Sequence, residues 1–265
     1  MRVLFIGDIV GPPGVQLVRQ AVPLLRARDG LDLVIANAEN AAGGSGLYPN
    51  TLRQLRAAGI DAVTMGDHLY KKFDLVSAME AGEPIVKPAN YPAAAPGRDH
   101  ALVSTAAGVR VAVLSLMGRT FMRPVDCPFA AADRVLAALP TDVRCIVVDV
   151  HAEATADKYL LVHHLKGRVS AVLGTHTHVP TADEQVFPGG TAFICDVGMT
   201  GPYDSVLGRN VDKVLSTART FVPVPWDVAT GDVRLGGAVV DIDETTGKAT
   251  GIRRVMLTEA ELGVA

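Results

Sequence analysis

The sequence predicts an α/β domain with a core that is at least partly parallel. Three observations carry this. Short runs rich in Val, Ile and Leu recur along the chain, segments of helical periodicity lie between several of them, and the C-terminal stretch changes to paired strand-like segments.

The apolar runs are Val3–Ile6, Leu33–Ala36, Ala62–Met65, Val109–Leu114, Cys145–Val150, Val169–Leu173 and Thr191–Cys195. They lack strict apolar–polar alternation, which suits strands buried on both faces. Val15–Arg28 follows the helix-start signal Pro12-Pro13, Asn50–Ala58 ends at Gly59, Ala130–Leu139 is stopped by Pro140, and Ala156–Leu165 completes the helical set. Gly231–Asp243 and Thr250–Leu257 read as strands joined through the turn-forming Glu244–Lys248. They predict an antiparallel addition, as a second sheet or an edge. Ala93–Gly97 is expected as an exposed loop, with Pro88–Pro92 before it able to be ordered.

With 265 residues, 49% hydrophobic and 20% charged, the chain can bury a large core, and a single domain over residues 1–265 is expected. A formal net charge of -3 gives no general affinity for nucleic-acid backbones. A phosphate-bearing substrate would need local positive charge, and bound metal ions are the obvious source. The apolar stretch Met1–Ile6 is too short for a signal-peptide core, and no run reaches the roughly 20 apolar residues of a membrane span. Cys127, Cys145 and Cys195 are an odd set without C-x-x-C spacing, and the last two lie in strand-like runs where reduced core thiols are expected. The expected compartment is the cytoplasm.

The residues directly after the strands carry the chemistry. Asp8 comes after the first run, Glu39 and Asn40 after the second, Asp67 and His68 after the third, His151 after the run Cys145–Val150, and His176 and His178 after the run Val169–Leu173. Carboxyl ends of parallel strands line one crevice, so these residues are expected together. Taken singly, Asp8 reads as well as a turn or N-cap residue, Glu39-Asn40 before Gly43-Gly44 as turn chemistry, and His151 as a hydrogen-bonded strand end. Gly174–His178 is the sharpest signal, because a turn there can send one imidazole to each of two neighbouring ions. His100, His163 and His164 lack such a setting and are expected at the surface. Lys71-Lys72 and Arg119 are candidate phosphate contacts as well as ordinary solvated side chains. Asp196–Gly208 reads as a Gly-rich loop that could border the site, an oligomer contact or neither.

These blocks resemble the calcineurin-like metallophosphoesterase superfamily: Gly7-Asp8, Glu39-Asn40, Gly66-Asp67-His68, His151 and Gly174-Thr175-His176-Thr177-His178 stand in the order of its signature. The closer similarity is to the YmdB-like branch of cyclic-nucleotide phosphodiesterases, through Phe5–Gly11, Asn37–Asn40, Gly174–His178 and Asp196–Gly201. The resemblance implies two packed mixed β-sheets flanked by helices, a four-layer αββα sandwich. It also implies that Asp8, Asn40 and His178 hold one ion, that Asp67, His151 and His176 hold the other, and that Glu39 bridges them. His68 is then the general acid. Two divalent ions are implied, Fe or Mn preferred with Zn also compatible; mixed carboxylate, amide and imidazole donors suit all three. Ions roughly 3.5–4 Å apart can activate a shared water for attack on phosphorus.

Two departures stand out. Asp8-Ile9-Val10 replaces the usual Asp-x-His, so Asn40 is expected to supply the missing ligand, and Asp67 stands where the superfamily usually carries Asn. The implied activity is hydrolysis of small phosphodiesters such as 2′,3′-cyclic nucleotides, with 3′,5′-cyclic nucleotides as further candidates, a homo-oligomer compatible and no membrane partner. Other readings are a phosphomonoesterase on the same fold, a non-catalytic regulatory protein binding metal and nucleotide, and an amidohydrolase-type (β/α)₈ barrel. The last is weakened by its late H-x-H pair and by the C-terminal strands.

Overall fold

Alternation of buried side chains within the strands sets the layers. In β1 (Arg2–Ile6), Val3 and Phe5 enter one apolar cluster, while Leu4 and Ile6 enter another. A strand apolar on both sides must be covered on both, and the rest of the chain provides the covers. The computed structural model describes residues 1–264.

The chain continues with β2 (Asp8–Ile9), α1 (Gly11–Asp29), β3 (Leu33–Asn37), α2 (Pro49–Ala57), β4 (Ala62–Thr64), α3 (Leu75–Glu80) and β5 (Ile85–Val86). Next come β6 (His100–Ser104), β7 (Arg110–Met117), α4 (Pro128–Ala138), β8 (Cys145–His151), α5 (Thr155–Leu165), β9 (Ala171–Thr175), β10 (Gln185–Phe187) and β11 (Thr191–Ile194). The chain closes with β12 (Met199–Asp204), α6 (Val211–Thr220), β13 (Gly231–Ile242), β14 (Ala249–Thr258) and α7 (Glu259–Leu262).

The strands form an 8-stranded and a 6-stranded sheet, ordered β2-β12-β13-β1-β3-β4-β5 with β14 on β13, and β10-β11-β9-β8-β7-β6. Both are mixed. β1, β3, β4 and β5 run parallel, as do β7, β8, β9 and β11, with antiparallel strands added around them. Val3, Phe5, Leu33 and Ile35 meet Val111, Val113, Val147 and Leu173 between the sheets. The outer face of the first sheet packs on Leu17, Val18, Ala21 and Leu25 of α1, and that of the second on Val135 of α4 and Leu161 and Leu165 of α5. These are the two mixed sheets flanked by helices, and no (β/α)₈ barrel. Among the described residues, no helix is long and apolar enough to cross a membrane.

Several boundaries move for identifiable reasons. The helix expected from Val15 begins at Gly11, because Pro12 and Pro13 occupy its first turn, where a missing N–H costs nothing. The strand expected over Val169–Leu173 is Ala171–Thr175, since Ser170 uses its hydroxyl to accept from Ile146 N and donate to Gly247 O. The C-terminal pair is antiparallel as expected, yet β13 is an interior strand. β14 runs along it, while β12 and β1 pair with successive parts of it, and Ala238, Val240 and Ile242 fill the inter-sheet core. Part of the expected Gly-rich loop is also a strand: Met199–Asp204 pairs with β13 and, through Met199 and Thr200, with Asp8 and Ile9. Cys145 and Cys195 are buried free thiols.

Candidate metal centre

The site forms where the carboxyl ends of both sheets meet. Asp8 follows β1, Glu39 and Asn40 follow β3, and Asp67 and His68 follow β4, all in the first sheet; His151 ends β8 and His176 and His178 follow β9 in the second. The crevice thus spans both sheets of the sandwich.

Donor atoms of Glu39, Asp67, His151 and His176 all lie within 4.8 Å of one another. His151 Nε2 is 3.1 Å from Glu39 Oε1, 3.2 Å from Asp67 Oδ1 and 3.0 Å from His176 Nδ1. A second group adjoins it: His178 Nε2 lies 3.7 Å from Asp8 Oδ1 and 3.2 Å from Asn40 Nδ2. Asn40 turns its oxygen to His68 Nδ1 at 2.7 Å, so a half-turn of the amide is needed to face that oxygen toward His178. Asp8 is not an N-cap, since Val10 caps α1 without a side-chain bond. His68 lies beside both groups, its backbone N–H donating to Glu39 Oε2.

Three features fit this cluster to cations. Asp8 Oδ1 and Glu39 Oε1 are buried without a hydrogen-bond partner, a costly arrangement unless a positive charge faces them. Each imidazole is also held from behind: His151 Nδ1 pairs with Thr175 Oγ1 at 2.9 Å, His176 Nε2 with Glu153 Oε2 at 3.2 Å, and His178 Nδ1 with Leu207 O at 3.0 Å. That leaves the inward nitrogen free to bind a metal. Finally, Gly66 borders the pocket so closely that a Cβ there would collide with the His151 ring and the Glu39 carboxylate.

The electrostatics show how strongly the groups interact. Burial pushes the Asp8 carboxyl up to about 6. Burial also opposes ionisation of Asp67, but its hydrogen bond to His151 and the charges of His151, His68 and His176 outweigh that and hold it well below the usual range. His151 is likewise resisted by burial and raised overall by Glu39 and Asp67. His176, desolvated and beside His151, falls to about 4.

A network that sequence patterns do not reveal orients these groups. Buried Asp149 accepts from Asn37 Nδ2 at 3.1 Å, Thr64 Oγ1 at 2.5 Å and Thr175 Oγ1 at 2.6 Å, so it steers His151 through Thr175. Its one local sign is a carboxylate inside the apolar run Cys145–Val150. His176 and His178 both have positive φ, 95° and 66°, conformations that cost non-glycine residues about 1–3 kcal/mol each. They are held by His176 N donating to Asp8 Oδ2, and by Thr177 N and Oγ1 donating to Asp196 Oδ2 at 3.1 and 2.8 Å. Asp196 is itself paired with fully buried Lys158 at 2.7 Å.

The cluster opens into a cavity of about 520 Å³ that also reaches Glu153, Leu207, Arg209 and Trp226. Lys71, Lys72 and Arg119 do not line it. Lys72 lies over the Tyr48 ring, and the Arg119 backbone donates to Asp157. His163 and His164 lie on the exposed side of α5, His164 pairing with Asp133. His100 is on strand β6 at the end of the second sheet.

A family model described as YmdB-like protein matches residues 4–255. A Bacillus subtilis protein named 2′,3′-cyclic-nucleotide 2′-phosphodiesterase is 44% identical over 259 residues, 98% of each chain. A crystal structure of a hypothetical protein from Thermus thermophilus superposes with a TM-score of 0.91 at 42% identity, covering 97% of this chain and 99% of that one. That of a Mycoplasma pneumoniae protein described as a novel phosphatase superposes at 0.90 and 28% identity, covering 97% and 93%.

Proposed function

The chain belongs to the YmdB-like family, a calcineurin-like metallophosphoesterase branch, and from that premise we infer that it is a two-metal phosphodiesterase acting on 2′,3′-cyclic nucleotides. The observation that carries this reading is the convergence of Asp8, Glu39, Asn40, Asp67, His151, His176 and His178 in one cluster, with two buried carboxylate oxygens that accept no hydrogen bond. The cyclic-nucleotide substrate rests on the activity for which the Bacillus subtilis relative is named.

In this reading Asp8, Asn40 and His178 would hold one ion and Asp67, His151 and His176 the other, with Glu39 available to both. Divalent ions bound there supply Lewis-acid neutralisation of phosphate charge and lower the pKa of water. Fe or Mn suits the thiolate-free donors, as does Zn. The half-turn of Asn40 that aims its oxygen at an ion also brings its amide nitrogen to His68 Nδ1, which fixes the ring proton on Nε2. His68 then delivers that proton to the leaving oxygen, a contribution of typically about 10²–10⁴-fold. Thr175, Glu153 and Leu207 O hold the other imidazoles in the binding tautomer.

The test is elemental analysis of anaerobically purified protein followed by assays on 2′,3′-cyclic AMP and bis(p-nitrophenyl) phosphate. Hydrolysis that is abolished by chelation is expected, with His68→Ala retaining its metal while losing turnover. Fully metallated protein that hydrolyses neither ester would overturn the reading.

A further inference from the structure

Beyond the metal cluster, the cavity has a second wall with a different chemistry. Val206, Leu207, Val214 and Trp226 give it an apolar side, and Arg209 stands beside them. Trp226 is 47% exposed and Leu207 50%, substantial apolar surface in direct continuity with a polar site. The indole is fixed by Nε1 donating to Thr217 Oγ1 of α6 at 3.1 Å. Arg209 ties the wall to the metal loop: its Nη1 donates to Gly43 O at 3.1 Å and Trp226 O at 3.3 Å, and its Nη2 to Gly44 O. Gly44 N in turn donates to Asn40 O at 2.9 Å. Leu207 is coupled to the cluster as well, through its carbonyl and His178 Nδ1.

Among the described residues Arg209 has backbone carbonyls and no carboxylate as partners, although it is half-buried. It is therefore the cation of this cavity that no acidic side chain neutralises, next to a pre-set aromatic ring. A flat, weakly polar ring attached to an anionic group matches both features: the ring on the indole, the negative charge near the guanidinium. We propose that Trp226 is the base-stacking platform of the substrate pocket and that Arg209 is the positioning residue that fixes this platform to the Gly43-Gly44 turn. The ligand class is a nucleoside phosphate whose base lies against Trp226, with Leu207 and Val214 completing the apolar contact. This rests on the phosphodiesterase reading for the phosphate end and adds the recognition of the base.

Trp226 is the chain's single tryptophan, so its fluorescence reports on the platform directly. Titration of the metal-loaded protein with adenosine 3′-phosphate is expected to quench the emission saturably, while inorganic phosphate at equal occupancy leaves it unaltered. In a parallel assay, kcat/KM is compared for 2′,3′-cyclic AMP and the base-free glycerol 1,2-cyclic phosphate. Trp226→Ala is expected to lower the ratio of the two by roughly 5- to 100-fold, the range for loss of one base–aromatic stack, mainly through KM. Trp226→Phe should restore much of it, and Arg209→Met should lower the ratio in the same direction. Wild-type protein that hydrolyses the nucleotide without quenching, or a ratio untouched by Trp226→Ala, overturns the platform and leaves the enzymatic reading standing. Quenching without hydrolysis by wild-type protein does the reverse.

Discussion

Asp149 and Asp67 perturb the cluster in different ways. Asp149 touches no inward-facing nitrogen, yet it accepts from Thr175 Oγ1, which holds His151 Nδ1, and from Asn37 and Thr64. Asp149→Asn exchanges an acceptor-only group for one that also donates, and frees Thr175 to rotate. The expected result is metal affinity lower by roughly 10- to 100-fold with the fold intact, read by Mn²⁺ titration alongside circular dichroism. Asp67 brings a full negative charge to the His151 and His176 side, at 3.2 Å from His151 Nε2. Asp67→Asn is expected to bind Mn²⁺ more weakly and to shift the order of preference among Mn, Fe and Zn, checked by competition titration and elemental analysis. If both proteins rank the metals identically, the carboxylate does not set the preference. Asp8, Glu39 and the histidines were legible as strand-end residues; Asp149 was hidden because a lone acid in an apolar run has no local partner in sequence.

At the scale of elements, the turn after β9 is the most demanding piece. On an extended strand, His176 and His178 would project from one face about 7 Å apart along the chain. Positive φ at both positions breaks that geometry and turns His176 toward Asp67 and His151, and His178 toward Asp8 and Asn40. The restraint comes from α5 and the segment after β11, through Lys158 and Asp196. Both side chains are almost wholly buried, at 0% and 1% exposed, so removing one leaves a charge with no partner. Lys158→Met is expected to destabilise the protein by about 3–5 kcal/mol in urea unfolding, and Lys158→Met with Asp196→Asn by clearly less. Equal losses in the single and double variants would show that packing rather than charge holds the turn. The helical period of α5 was readable, but Lys158 on its buried side was not, because a lysine in a helix ordinarily points to water.

For the whole molecule, the two-sheet arrangement buries acidic hydroxyl and thiol groups that resist losing protons. Desolvation pushes Cys195 up to about 11, and Tyr91 and Tyr203 up to about 12. In the unfolded chain these groups ionise near 9 for the thiol and 10 for the phenols. As pH rises past about 9 the unfolded state loses protons that the folded state keeps, so stability falls with increasing pH. The fall begins with the thiol and steepens when the phenols join. Burial raises the Cys145 thiol as well, so urea midpoints at successive pH values from 8 to about 11 are expected to decline, and Cys195→Ala is expected to reduce the earliest part of that decline, with Cys145 supplying the remainder.

The sequence by itself determined the strands buried on both faces, the helices between most of them, and which residue types stand at each strand end. All of these are encoded within a few neighbouring positions, by apolar periodicity, proline and glycine signals and local residue order. Only the tertiary structure decided that β13 enters the interior of its sheet, which strand ends of each sheet meet at the crevice, and that Arg209 reaches the Gly43 carbonyl across 166 positions of chain. Those outcomes depend on which apolar faces pack together, and sheet order is fixed by burial between segments far apart in sequence, which no local pattern records. The loop metal ligands were therefore readable early, whereas the wall formed by Trp226 and the supports beneath the histidines became visible only once the sheets were stacked.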